Sequence, residues 1–207
     1  MRIILEQRQS QFTSAVNRYE IERDSMRIVI LLGTAAITLS FIVSIVANLP
    51  SSGRAVAARF LERTNSLPKQ TEKPSEVTVN TLRDWITEGS TSGFSTAYAW
   101  KVIPLDFLFL ISLGCFLGVG SSILASMTSW PAGFSKIPLW VWWCLPALYM
   151  LADACEDTLI MLFLNKPMTI TTNSLDLLTQ FRSIKIWTNV LATVQVFLLG
   201  LGSYVLK

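Results

Sequence analysis

The sequence predicts an all-α fold: a bundle of four membrane-spanning helices with one large extramembrane loop between the first two. Three observations lead there. Hydrophobic residues make up 51% of the 207 residues and charged residues only 15%, against about 25% charged in an ordinary soluble domain; the mean hydropathy is +0.47. The excess is gathered into four apolar stretches, at about residues 28–49, 103–127, 137–164 and 184–206, each long enough for the roughly 20 residues that cross a bilayer as a helix. Finally, most of these stretches have no polar face, whereas a helix of a soluble protein keeps one.

Residues 1–26 form a polar N-terminal segment, and residues 27–207 form the membrane domain. Leu5, Phe12, Val16, Tyr19 and Ile21 recur at loosely helical spacing, so a surface helix is expected there. Arg2, Arg8, Arg18 and Arg23 precede the first span and Arg27 opens it. A cleaved signal peptide begins closer to its apolar core, so span one is read as an uncleaved anchor, although Met26-Arg27 before an apolar run would also serve as a start. Along span one, Ser40, Ser44 and Asn48 form an i, i+4, i+8 row.

Residues 50–102 form the large loop. Pro68, Pro74, Ser, Thr and Lys make its middle a linker. Two short helices are expected within it, at Arg54–Arg63 and Val77–Glu88. The second puts Leu82, Trp85 and Ile86 on one side, with Thr78 or Asn80 as its cap. Span two opens with Pro104 and Asp106, Pro104 standing where a helix-start proline belongs. Its Gly114-x-x-x-Gly118-x-x-x-Ser122 stripe signals close packing against a neighbour. A short link, Trp130–Lys136, leads to span three. Trp130, Trp140, Trp142 and Trp143 cluster at one membrane boundary, as an aromatic belt does. In span three, Pro146 is expected to kink the helix ahead of Asp153 and free backbone carbonyls to line a polar cavity. The link Asn165–Ser183 then leads to span four, which begins near Arg182 and Lys185.

The candidate site lies in span three. Asp153, Glu156 and Asp157 are spaced by three and four residues and so share one helix face. Each ionised side chain at membrane depth costs at least ~2.5–3.5 kcal/mol on insertion scales, so three together must meet a partner, a proton, an ion or water. With four antiparallel spans, Asp106, this cluster, Arg182 and Lys185 all fall in the loop-side half. Tyr149 stands one turn before Asp153, and Lys185, Asn189 and Thr193 form a row on span four. Asp106, Tyr149, Asp153, Glu156, Asp157, Lys185 and Asn189 are therefore the candidate ligand- or ion-binding residues, with Lys185 neutralising a carboxylate or snorkelling to the surface. Asp153 should be the most deeply buried of the acids, with Asp157 nearer Arg182 and Lys185 and Glu156, the longer side chain, able to reach between them. Asp153 and Glu156 are the candidates for acid/base work if the site is catalytic. The alternative is interhelical glue, each buried polar contact contributing roughly 0.6 kcal/mol and up to ~1.7.

Other classes are excluded or unsupported. A net charge of +3 makes no case for nucleic acid, and Cys115, Cys144 and Cys155 all lie inside the apolar stretches, so no disulfide framework is implied. The absence of histidine rules out histidine-ligated metals and a Ser-His-Asp triad. There is no phosphate-binding Gly-rich loop, no Gly-x-Ser-x-Gly and no His-Glu-x-x-His. No cofactor and no dedicated metal centre are expected, although Asp153-x-x-Glu156-Asp157 with Asp106 offers oxygen ligands of the kind Mg²⁺ takes.

Pro104-Leu-Asp106-Phe-Leu-Phe109, then Pro146 followed by Asp153, Glu156 and Asp157, then Lys185, resemble a group of small, uncharacterised four-span bacterial membrane proteins. In that group a Leu-Asp-x-x-Phe opens span two and a Pro…Asp-x-x-Glu-Asn pattern follows in span three. The resemblance covers residues 103–206, and Asp157 stands where the pattern has Asn. It implies a location in the bacterial inner membrane and assigns no activity. A thinner similarity is to the four-span sterol-isomerase and sigma-2-receptor-like fold, which also buries acidic residues; span one here has none. The arginine-rich N-terminus points to cytoplasmic termini. The expected partners are membrane lipid and other membrane subunits. The reading is thus a small integral membrane protein with a polar half-cavity that binds an ion or small ligand or stabilises an assembly. An intramembrane lipid- or sterol-modifying enzyme using Asp153 or Glu156 is the alternative.

Overall fold

A helix pairs all its own backbone groups, which makes it one of the two structures that can cross lipid, and the apolar stretches of this chain fold accordingly. The computed structural model describes residues 2–49, 56, 79–127, 130, 134 and 136–205, and among these there are helices and turns and no strand. Three helical segments are long and apolar enough to cross a membrane: Arg23–Asn48, Ser95–Ser126 and Thr172–Val205. The fourth expected span is a helix too. It carries three carboxylates within five residues and is not among those three.

Helix α1 runs without interruption over Arg2–Asn48, so the expected N-terminal surface helix and span one are one element. Its buried face is Ala36, Val43 and Ala47, and Ile30, Leu31, Ile37, Phe41 and Ile45 face outward. In the loop, the helix expected at Val77–Glu88 is α2, Val79–Ser92; the one expected at Arg54–Arg63 lies outside the described residues apart from Val56. Leu82 and Ile86 of α2 are buried and Trp85 packs beside them. Gly93 at φ +77° separates α2 from the short helix α3, Phe94–Ala97, a backbone angle that glycine adopts at little cost.

From α3 the chain continues through a π-helical turn, Tyr98–Val102, into α4, Ile103–Met127. Pro104 therefore sits inside a continuous helical run and not at its head. Proline has no N–H to give to the carbonyl four residues back and its ring crowds that carbonyl. The wider π turn just before it absorbs both defects.

Span three begins later than expected, with a 3₁₀ turn at Leu139–Trp143 leading into α5, Cys144–Asn165. Pro146 falls in the first turn of α5 but within a helical run that the 3₁₀ turn makes continuous from Leu139, so the Trp142 carbonyl four residues back receives no N–H from it and accepts instead from Gln195 Nε2 at 2.8 Å. After a 3₁₀ turn at Pro167–Thr169, helix α6 covers Thr172–Val205, opening twelve residues before the expected 184. Its cap explains the early start. Ser174 N–H donates to Thr171 Oγ1 (3.1 Å) and Thr171 N–H donates to Ser174 Oγ (2.8 Å), a reciprocal capping arrangement.

Helix α4 is central and packs against α1, α5 and α6, while α5 packs closely along α6. Bulky side chains fill the glycine notches of α4: a Cβ at Gly118 would lie 2.5 Å from the Trp143 ring, and one at Gly114 would collide with Met150. Trp130 stacks on Phe134 and Phe134 tilts against Trp142 at ring separations of 4.5 and 5.3 Å, while Trp143 fills the Gly118 notch and Trp140 is exposed. At the loop side, Val43, Leu82, Ile86, Tyr98, Ile160 and Phe163 belong to one apolar core that closes the end of the bundle.

Candidate functional site

The hairpin α5–α6 brings opposite charges together by register. Glu156 lies nine residues before the end of α5, and Arg182 lies ten after the start of α6. Asp153 and Lys185 are each three residues further along their helices. At 1.5 Å per residue, both pairs are level, about 14–20 Å from the connecting turn. Spacing by three keeps both members of each helix on one face.

The contacts follow this register. Arg182 Nε donates to Glu156 Oε1 at 2.8 Å. The Lys185 amine pairs with Asp153 Oδ1 and lies 3.0 Å from Glu156 Oε2. Lys185 thus bridges two carboxylates and does not snorkel away. Tyr149, itself buried, stands one turn before Asp153 on the same face of α5. From α4, Asp106 reaches the same place: one oxygen from each of Asp106, Asp153 and Asp157 lies within 4.8 Å of the other two. Asp106 and Asp157 also have interactions of their own.

The three acids of α5 are alike buried, at 2% exposed for Asp153 and 1% for Glu156 and Asp157, so none is set apart by depth. Glu156, with the longer side chain, reaches across to α6 and meets both Arg182 and Lys185. The polar row of α1 does not join the site: Ser40, Ser44 and Asn48 are exposed, and the Asn48 amide donates to the Ser44 carbonyl at 2.7 Å. That row lies beside, not on, the Ala36–Val43–Ala47 face that packs on α4, so three helices build the site, not four. Asn189 is half-buried and no described bond links it to the carboxylates, while Thr193 is exposed.

The terminal-side half holds a smaller polar cluster not anticipated from the sequence. Gln195 Nε2 donates to Ser121 Oγ and to the Trp142 carbonyl, both at 2.8 Å. An isolated glutamine in an apolar run is its only sequence signal.

Chemically, the arrangement divides in two. Asp153, Glu156, Arg182 and Lys185 form a buried ion-pair network that ties α5 to α6. Asp106, Asp153 and Asp157 present converging carboxylate oxygens, the ligand type hard cations take. An open surface groove is lined by Ala154, Cys155, Thr158, Leu159 and Phe181, on the side of α5 opposite the carboxylates. Compared with models of known protein families, with curated proteins and with solved structures, the chain matches none.

Proposed function

We propose that the chain is a four-span integral membrane protein whose loop-side half binds a hard cation between Asp106, Asp153 and Asp157. Helix α5, at 22 residues, is about 33 Å long and turns Leu148, Leu151 and Leu162 outward while its carboxylates face in. Both properties support its crossing the membrane beside the three apolar helices. Cytoplasmic termini follow from the arginines at and before Arg27, and the bacterial inner membrane is the location that goes with the resemblance.

The observation that supports the ion reading is the meeting of three buried carboxylate oxygens from two helices within 4.8 Å of one another. Lys185 and Arg182 offset part of the negative charge and hold Asp153 and Glu156 in place. The same contacts weigh against an intramembrane enzyme, which would need Asp153 or Glu156 open to a substrate-sized space; the groove described lies on the opposite side of α5. The test is a set of thermal melts in detergent with Mg²⁺, Ca²⁺ or Mn²⁺ against K⁺. At a hundred times its dissociation constant a bound ion adds about 2.7 kcal/mol, and Asp106→Asn or Asp157→Asn should remove that gain. Melting that no cation moves would overturn the reading.

A further inference from the structure

The route into the carboxylate site carries the strongest further inference. On the buried face of α5 the order toward the loop side is Asp153, then Glu156 and Asp157, then Ile160, then Phe163 and Leu164. Asp106 likewise lies three residues beyond Ile103 on α4. Ile103, Ile160, Phe163 and Leu164 all belong to the apolar core that also contains Leu82 and Ile86 of α2. The carboxylates therefore lie one turn beneath an apolar cluster that extends outward to Leu82 and Ile86 of α2, which itself rests on the Pro167–Thr169 turn and on α3.

Helix α2 is fastened at one side and jointed at its end. Arg83 Nη2 donates to the Ile170 carbonyl at 2.6 Å and lies 3.4 Å from the Met168 carbonyl, both in the α5–α6 connection. Arg83 Nε is buried with no hydrogen-bond partner, so the guanidinium is held through one nitrogen while another goes unmet. At the far end the joint is Gly93, with φ +77° and space around its α-carbon, followed by the π turn at Tyr98–Val102. Interruptions of this kind absorb rotation between helices.

We infer that α2 is a lid: Arg83 latches it onto the Met168 and Ile170 carbonyls, Gly93 and the π turn are its hinge, and its release opens the Asp106–Asp153–Asp157 site to loop-side water. What the site binds rests on the cation reading; the lid itself does not. Closed, α2 keeps water out with Leu82 and Ile86. Released, it takes those two side chains out of the layer above Ile160.

The experiment uses the full chain in detergent, a water-soluble carbodiimide with glycine amide, and mass spectrometry of the peptide containing residues 153–157. Losing a charge-assisted hydrogen bond shifts an opening equilibrium by about tenfold or more, so Arg83→Met should speed carboxyl labelling by about that factor. Arg83→Lys, which keeps the charge but not the planar donor, should fall between Arg83→Met and the wild type. Gly118→Val, which disturbs packing at the other end of the bundle, should leave the rate unchanged. In the wild type, amide hydrogen exchange should be faster in α2 than in α5. Equal labelling in wild type and Arg83→Met, acceleration by Gly118→Val as well, or exchange in α2 as slow as in α5 would each overturn the lid. Accelerated labelling that Mn²⁺ slows supports lid and cation site together. Accelerated labelling indifferent to Mn²⁺, Mg²⁺ and Ca²⁺ keeps the lid and removes the cation reading.

Discussion

Lys185→Met is the most informative single substitution, because Lys185 bridges two acids that are 2% and 1% exposed. At 3.0 Å from Glu156 and an effective dielectric near 20, the gross attraction to that carboxylate alone is about 5–6 kcal/mol. Desolvation of the charges offsets much of this, so the net effect is better taken from deletions of one partner of a buried pair, which cost about 3–5 kcal/mol. The Lys185 side chain is 26% exposed, which puts the expected loss near the lower end, about 3 kcal/mol. For a chain of this length that is a fall in melting temperature of about 6–12 °C. Seven tryptophans allow the transition to be followed by intrinsic fluorescence in detergent. The double variant Lys185→Met with Asp153→Asn should recover to within about 1 kcal/mol of the wild type, since replacing both members of a buried pair is often near neutral. A single variant that loses less than about 0.5 kcal/mol, or a double variant no better than the sum of its parts, would show that Lys185 is not the counter-charge and extends to the membrane surface.

Arg182→Gln should lower stability by less than Lys185→Met, by about 1–2 kcal/mol, because Glu156 keeps Lys185 and loses a single charge-assisted bond; the same melts decide it. Gly118→Val should destabilise by about 1–3 kcal/mol through overpacking against Trp143, and Gly120→Ala, whose Cβ meets nothing nearer than 4.0 Å, should be close to neutral. Thr171→Ala should lose about 1 kcal/mol with the α6 cap, visible as faster amide exchange in the first turn of that helix. In a chain lacking its three cysteines, Lys136→Cys and Lys166→Cys, both exposed, should react with an impermeant thiol reagent from opposite sides of the membrane. Labelling from one side would mean that α5 does not cross.

Hydropathy located the apolar helices, and the spacing of Asp153, Glu156 and Asp157 located the inward face of α5. What stayed hidden depends on information hydropathy does not carry. An apolar scan reports where lipid begins, not where a helix begins; the polar first turns of α6, from Thr172, are helical without being lipid-like. A helical row such as Ser40–Ser44–Asn48 defines a face but not the neighbour it meets, and packing turned the Ala36–Val43–Ala47 face inward instead. Pro104 reads in sequence as a helix start and Pro146 as an interruption, yet each stands within a continuous helical run. The local backbone accommodates them differently, with a π turn before one and a 3₁₀ turn before the other. The Glu156–Arg182 pair becomes legible once the hairpin register is known, and that register depends on the cap at Thr171.

The same register bears on how α5 enters the membrane in the four-span reading. Its three carboxylates, taken alone, oppose insertion by about 7–10 kcal/mol if deep, while its eight Leu, Ile and Phe residues return only about 2–5 kcal/mol. Helix α5 is therefore a poor span by itself. Helix α6 is apolar beyond Lys185 and brings Arg182 and Lys185 level with Glu156 and Asp153, so the two helices are far better inserted as a paired hairpin than in sequence. The consequence is specific: Arg182→Gln with Lys185→Met should impair insertion of α5 as well as stability of the folded bundle. Glycosylation acceptors placed at the α5–α6 turn of the full chain would report it in a microsomal insertion assay. Unchanged insertion of the doubly substituted chain would show that α5 enters without help from the basic groups of α6, and that the ion pairs form only after both helices are in place.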